Sequence, residues 1–246
     1  MHFLWKIRCG LSLVLATFAV VSIANVTPVS ADKPEHPLSE KEQGELKKSL
    51  LDNVQSLNKQ ITEHPDDVDL YSSRGDALFY LADFKAAAAD YAKMVELKRE
   101  LDASHWRRGI ADFYAGDFEG AARQFEKYHS FDDVDRENGI WRYFSQHQAY
   151  GAEKAQEGLL KYRKDDREPF PSVYQLFSKK LTSEEVLKQV ADADISEEDR
   201  EVRDFYAQLY VGLNHALEGR DELALKHLRA STANKWGPRA GYGPRY

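Results

Sequence analysis

Histidine, cysteine and serine side chains could give this 246-residue chain a metal site or a nucleophile, and their spacing favours neither. Two ligands three or four residues apart lie on one face of a helix, where they can bind the same metal ion. The histidines in the body of the chain never have that spacing: His64, His105, His129, His147, His215 and His227. Cys9 is the only cysteine, and no serine lies in the Gly-x-Ser-x-Gly turn of hydrolases. We therefore expect no metal, no cofactor and no catalytic nucleophile.

The acidic side chains leave one catalytic alternative open. The chain has 41 Asp and Glu residues. A catalytic pair needs two carboxyl groups at a defined separation in space, which a sequence does not reveal. The simpler interpretation is a solvated acidic surface, so the sequence predicts a protein that is not an enzyme. A hydrolase with an unrecognised carboxylate pair is the alternative.

Aromatic side chains are the more informative group. Phe79 and Tyr80 are followed by Phe113 and Tyr114 at an offset of 34 residues (113 − 79 and 114 − 80). Tyrosine and tryptophan bring a large contact area at low entropic cost, which suits recognition of a peptide or a helix. The alternative is that several of these rings are core residues.

The offset of 34 residues recurs at five further positions of residues 68–128. The pairs are Gly75 and Gly109, Asp83 and Asp117, Phe84 and Phe118, Ala87 and Ala121, and Tyr91 and Phe125. Each copy predicts a helix with a small residue, a tight turn, and a second helix with an alanine and then an aromatic residue. Residues 68–81 and 84–97 are the two helices of the first copy. The chain here resembles the tetratricopeptide repeat (TPR) family, which implies an all-α, right-handed solenoid of helical hairpins.

The pattern extends beyond these two copies, over residues 45–233. An apolar stripe predicts a helix that ends before Pro65: Leu46, Leu50, Val54, Leu57 and Ile61. Residues 135–162 continue the pattern less regularly, with Tyr143 in the place of Gly109, and residues 204–231 recover its spacing. Residues 163–196 are expected to be a non-repeat insertion with two short helices, the second capped by Thr182.

The TPR resemblance implies that the first helix of each hairpin lines a concave groove. In this register the predicted partner-binding residues are Asp76, Phe79, Tyr80, Trp106, Arg107, Ile110, Phe113 and Tyr114. Arg107 is the lone basic candidate for holding a carboxylate. Asp112 stands where the family has a large apolar residue, and we expect a local ion pair with Arg108 one turn earlier. A functional acid at Asp112 is the alternative.

The two ends of the chain predict export and a flexible tail. Lys6 and Arg8 precede an uncharged apolar run at residues 11–24, and small residues precede Asp32. This layout is typical of a secretory signal peptide, here residues 1–31, followed by a spacer at residues 32–44. The protein is then periplasmic or secreted; an uncleaved membrane anchor is the alternative. Residues 234–246 are rich in glycine and proline and predict a flexible tail.

The charge of the chain narrows the choice of partner. Removing residues 1–31 would take away two basic residues and no acid, changing the net charge from −7 to −9 (−7 − 2). A surface for nucleic acid would have the opposite sign. The sequence predicts a non-catalytic adaptor or scaffold of the bacterial cell envelope that binds a protein or peptide. The alternative is a self-associating structural protein, and a homo-oligomer is left open.

Overall fold

The computed structural model describes residues 39–164 and 166–234, and this part of the chain is helical with no strand. Its α-helices are α1 (Glu40–Glu63), α2 (Val68–Tyr80), α3 (Phe84–Leu97), α4 (Trp106–Ala115), α5 (Phe118–Phe131), α6 (Arg136–Tyr150), α7 (Ala152–Glu157), α8 (Phe170–Phe177), α9 (Ser183–Asp192), α10 (Glu197–Leu217) and α11 (Asp221–Ala233). The all-α prediction is confirmed. None of these helices is both long and apolar enough to cross a membrane. The predicted signal peptide, the first part of the spacer and nearly all of the predicted tail lie outside the described residues.

Helix α1 begins at Glu40, inside the stretch expected to be a spacer. Its start is fixed by a capping box: the Glu42 amide donates to Ser39 Oγ at 3.3 Å, and the Ser39 amide donates to Glu42 Oε2 at 2.7 Å. The helix ends at Glu63, before Pro65 as predicted. Leu57 is its one buried residue, and Leu46 nearer the start is 39% exposed. Only the second half of α1 therefore contributes to the core.

Helices α2 to α5 form two hairpins, and α2 and α3 lie close to the predicted bounds of 68–81 and 84–97. Asp83 and Asp117 cap the second helix of each hairpin, accepting hydrogen bonds from the amides of Ala86 at 3.3 Å and Gly120 at 2.8 Å. The Asp-Phe pair that the sequence repeats is therefore an N-cap followed by the first residue of a helix.

The two helices of each hairpin cross where the sequence has glycine. A Cβ atom added to Gly75 would lie 2.6 Å from the Tyr91 ring, and one added to Gly109 would lie 2.8 Å from the Phe125 ring. The last hairpin has the same arrangement, with Gly212 against Leu228. In each case the partner follows the glycine by 16 residues. The shared offset explains why these glycines recur in the sequence: any side chain there would displace a packed neighbour.

The turns of these two hairpins differ at one residue. Gly116 has a φ of 91°, in the left-handed region that glycine adopts freely. Ala82, 34 residues earlier, has a φ of 61°. A non-glycine residue held in this region is strained by roughly 1–2 kcal/mol.

We expect Ala82→Gly to raise the free energy of unfolding by about 0.5–1 kcal/mol, because relief of the strain outweighs the added entropy of the unfolded chain. Urea denaturation followed by circular dichroism measures the change. The control is Gly116→Ala, which should lower stability. If both substitutions move stability in the same direction, the turn conformation at residue 82 is wrong.

The third hairpin is less regular than the first two. Helix α6 spans 15 residues, but α7 spans only six. Tyr143 occupies the position of Gly109. One turn earlier, a Cβ atom added to Gly139 would lie about 3 Å from the rings of Tyr162 and Tyr174, which are not part of α7. The helices pack in chain order from α1 to α7. Helix α8 then packs on both α6 and α10, so the insertion lies between the third hairpin and the last one.

The short helices of the insertion are confirmed as α8 and α9. Thr182 caps α9 in a second capping box, in which its hydroxyl accepts from the Glu185 amide at 3.2 Å. Six of the eight residues of α8 are buried, and its Phe170 and Phe177 are at most 1% exposed. This helix is part of the larger apolar cluster, whose buried residues run from Phe84 of α3 to Leu213 of α10.

Candidate functional site

A row of three arginines joins the two halves of each of the first three hairpins, and no sequence prediction included this row. Arg74, Arg108 and Arg142 are separated by 34 residues each, and each bonds to the residue 16 positions later. Those partners are the Asp90 carboxylate, the Gln124 side-chain oxygen and the Gly158 carbonyl oxygen. We call this row the arginine ladder. The ladder continues into the third hairpin, where Tyr143 takes the place of the glycine that the first two hairpins have at the helix crossing.

The first rung of the ladder is a bidentate ion pair. Arg74 Nε donates to Asp90 Oδ2 at 2.8 Å and Nη2 donates to Oδ1 at 2.6 Å, while Nη1 reaches Asn58 Oδ1 of α1 at 2.6 Å. The Asp90 side chain is 6% exposed and that of Arg74 is 22% exposed. Two parallel charge-assisted hydrogen bonds in this setting fix α3 against α2 in one register.

The second rung is formed by Arg108, whose partners differ from the predicted one, Asp112. Arg108 donates to Gln124 and, at 2.9 Å, to Asp102 Oδ1. It forms no ion pair with Asp112 in the described part of the chain, so the expected local pair is wrong. Burial raises the pKa of Asp112 to about 6; Asp117 adds to the effect and Arg108 opposes it. Asp112 is therefore a partly buried carboxyl group in the position that Leu78 holds one hairpin earlier.

The polar residues of the predicted groove bond to one another. Arg107 Nη1 lies 2.6 and 2.7 Å from the two carboxylate oxygens of Asp76, and Nη2 donates to Ser72 Oγ at 3.0 Å. The Tyr91 hydroxyl donates to Asp76 Oδ1 at 2.6 Å, and the Arg107 guanidinium lies over the Tyr91 ring. Arg107, the expected anchor for a partner's carboxylate, is thus already held by a carboxylate of the neighbouring hairpin.

Two of the aromatic residues predicted to line the groove are core residues instead. Phe113 is 7% exposed and Tyr114 is 6% exposed. Tyr114 stacks on Phe84 with ring centroids 5.0 Å apart, and Phe113 meets the edge of Trp141 at 5.5 Å. The expectation that these two rings are open to a partner is corrected: Phe84 and Trp141 cover them from other helices.

Four predicted groove residues stay partly accessible. Phe79, Tyr80, Trp106 and Ile110 are half-buried, and Phe79 also touches the ring of Tyr114. We call Tyr80, Trp106 and Ile110 the first-helix face, because they lie on the first helices of consecutive hairpins.

The corresponding positions of the third hairpin are covered by the chain itself. Ile140 and Phe144 follow Trp106 and Ile110 by 34 residues. Ile140 is fully buried, and Phe144 meets Phe177 of α8 at 5.3 Å and stacks on Tyr210 of α10 at 6.4 Å. The insertion and the last hairpin therefore occupy on α6 the side that α4 leaves partly open.

A cluster of carboxylates around Arg167 lies where α6 begins. Glu137 Oε2 accepts from Arg167 Nη2 at 2.5 Å, and Glu137 Oε1 accepts from the Tyr210 hydroxyl. Asp135 and Asp166 lie 3.9 and 3.5 Å from Arg167 Nη1. We call these four charged residues the junction cluster. No group of three or more histidine, aspartate or glutamate side chains in the described ranges is arranged to hold a metal ion.

Comparison with known proteins does not identify a family for this chain. No protein-family model matches the sequence, and no curated protein shows significant similarity to it.

Proposed function

We propose that this chain is a TPR-like solenoid that acts as a non-catalytic adaptor or scaffold and binds a protein partner through the first-helix face. The observation that carries the proposal is the contrast between α4 and α6. The face of α6 is filled by α8 and α10, whereas Trp106 and Ile110 at the same positions of α4 are only half-buried. A helix or extended segment of a partner would complete there the packing that the chain completes for itself on α6.

Two regularities support the repeat assignment within this proposal. The glycines that admit a large side chain 16 residues later occur in three hairpins. The arginine ladder keeps the 34-residue spacing in a third hairpin whose second helix is only six residues long. Shared packing and shared hydrogen bonds at one offset are typical of stacked repeats.

The place of action is proposed from the N-terminal sequence. The basic residues, the apolar run and the small residues before Asp32 favour export to the periplasm or beyond. A scaffold of the bacterial cell envelope fits both that pattern and a partner-binding face.

The test is a double substitution on the face, Tyr80→Ala with Trp106→Ala. Loss of two aromatic anchors should weaken partner binding by roughly 30-fold or more for each, because hot-spot aromatics contribute about 2 kcal/mol. The readout is quantitative affinity capture from envelope extracts, run beside thermal melts. We expect the partner to be lost while the melting temperature changes little.

The matched control is Phe131→Ala with Tyr150→Ala. These two aromatics are 64% and 51% exposed and lie at the ends of α5 and α6. Equal partner loss in both double variants would contradict the proposed face. The same capture separates the second candidate, self-association, which the exposed Leu223 and Leu225 of α11 favour. An adaptor retains a different protein, and a self-associating protein retains mainly itself.

A further inference from the structure

Two buried histidines meet where the two helices of the last hairpin pack together. His215 of α10 is 3% exposed and His227 of α11 is 8% exposed. Their rings stack, with centroids 5.4 Å apart and an angle of 29° between the ring planes. We call these two residues the histidine pair. Because α11 packs on α10, a change at either ring acts directly on the contact between the two helices.

The ring nitrogens of the histidine pair suit the neutral state better than the charged one. His227 Nδ1 lies 2.8 Å from Gln208 Oε1, so this nitrogen carries a hydrogen and donates it. His215 Nδ1 is buried and has no hydrogen-bond partner in the described part of the chain. In a neutral ring that nitrogen can keep its lone pair, whereas an imidazolium carries hydrogen on both nitrogens. Protonation of His215 would therefore bury an N–H group without an acceptor, which is unfavourable.

Four charged groups face the histidine pair, two of each sign. They are Arg220, Lys226 of α11, Glu184 of α9 and Asp204 of α10. Arg220 also pairs with Glu218, and Asp204 accepts a hydrogen bond from Gln208 Nε2 at 3.1 Å. Glu184 is exposed in the first turn of α9. Within residues 39–164 and 166–234, neither histidine ring forms an ion pair with a carboxylate, so a proton added to the pair has no direct counter-ion.

We propose that the histidine pair is an acid-sensitive latch of the last hairpin: two neutral rings hold α11 on α10, and a proton on either ring releases α11. The stacked geometry gives the direction, because one protonated ring places a buried positive charge against the other ring. The remaining contacts between the helices do not titrate. Examples are the close approach of Gly212 to Leu228 and the hydrogen bond from Ser231 Oγ to the Phe205 carbonyl oxygen at 3.2 Å.

The pKa values of the two histidines agree with this direction. Burial lowers the pKa of His215 to about 4; Arg220 and His227 add to the effect, and Glu184 opposes it. Burial also lowers the pKa of His227; Lys226 adds to the effect, and both carboxylates oppose it. A histidine whose pKa is lower in the folded chain than its unfolded value of 6.5 contributes stability above pH 6.5. That contribution is lost as the pH falls toward 4, so the latch is closed at neutral pH and opens in acid.

The test is urea denaturation of the full chain at pH 7, 6 and 5, comparing the unsubstituted protein with His215→Phe. Phenylalanine keeps a ring against His227 but does not titrate. A pKa of about 4 against 6.5 corresponds to a loss on the order of tenfold in the folding equilibrium constant between pH 7 and pH 5. We expect the profile of His215→Phe to be flatter by that amount. Parallel profiles for the two proteins would overturn the proposal.

Hydrogen exchange locates the effect in the last hairpin. After correction for the intrinsic exchange rate at each pH, amide protection in α11 should fall between pH 7 and pH 5 relative to α2 and α3. His215→Phe should abolish this difference. The matched control is His105→Phe, which removes a buried histidine that contacts Met94 and lies outside the last hairpin. If the fall is uniform across the helices, or if His105→Phe abolishes it equally, the latch is refuted.

A direct titration applies even if His215→Phe does not fold. The imidazole signals of His215, followed by NMR in the unsubstituted protein, should titrate with a midpoint below about pH 6. A midpoint at pH 6 or above would show that the folded chain accepts the proton without penalty, which excludes the latch.

Discussion

Tyr114→Ala should lower the free energy of unfolding by about 3–5 kcal/mol, the cost of removing a buried aromatic side chain. The ring is 6% exposed and lies among Phe79, Phe84 and Trp141, with centroid distances of 5.9, 5.0 and 6.1 Å. These neighbours lie on three different helices, α2, α3 and α6, so they cannot all close over the space that alanine would leave. Urea denaturation followed by tryptophan fluorescence measures the change.

Tyr80→Ala provides the matched comparison, because Tyr80 precedes Tyr114 by 34 residues and its ring is only half-buried. Its cost should be clearly smaller. If the two substitutions destabilise the chain equally, the difference in burial between the two positions is wrong. If neither does, Tyr114 returns to the set of partner-binding candidates.

The second large effect concerns the first rung of the arginine ladder. Asp90→Ala should cost about 2–4 kcal/mol, because it leaves the Arg74 guanidinium without its buried partner. The lower part of that range is expected, since Arg74 is 22% exposed and keeps its hydrogen bond to Asn58. Thermal and urea denaturation both report the loss.

Asp90→Gln is the control for that prediction, because it copies the partner that Arg108 has in the next hairpin, Gln124. We expect this variant to retain most of the stability. A loss equal to that of Asp90→Ala would show that the rungs are not interchangeable and that the ladder is no shared feature of the hairpins.

The helices were predictable where the signal is local. Periodicity and the Asp-Phe turn predicted helices at residues 68–81 and 84–97, and the structure has α2 at Val68–Tyr80 and α3 at Phe84–Leu97. Helix α1 begins at Glu40, before the predicted start at residue 45. The prediction relied on the apolar stripe, whereas the capping box of Ser39 and Glu42 starts the helix before that stripe begins. The arginine ladder could have been found, since its 34-residue spacing is visible in the sequence.

The burial of the groove aromatics could not be read from the sequence. Phenylalanine and tyrosine suit a core and a binding face equally well, and the rings that cover Phe113 and Tyr114 belong to other helices. The expected pair between Arg108 and Asp112 failed for a similar reason: partners across the hairpin and in the preceding turn, Gln124 and Asp102, compete with a neighbour one turn away. Glu137 of the junction cluster accepts a hydrogen bond from Tyr210, which is 73 residues later in the chain, so local sequence patterns do not indicate this contact.

That separation of 73 residues also sets an order in which the parts of the fold can form. The first two hairpins are closed by contacts between residues 16 to 35 positions apart, so they can form as soon as their own residues are free to fold. The apolar side of α6 must wait until α10 is also free to fold. For that interval Ile140 and Phe144 are open to wrong partners.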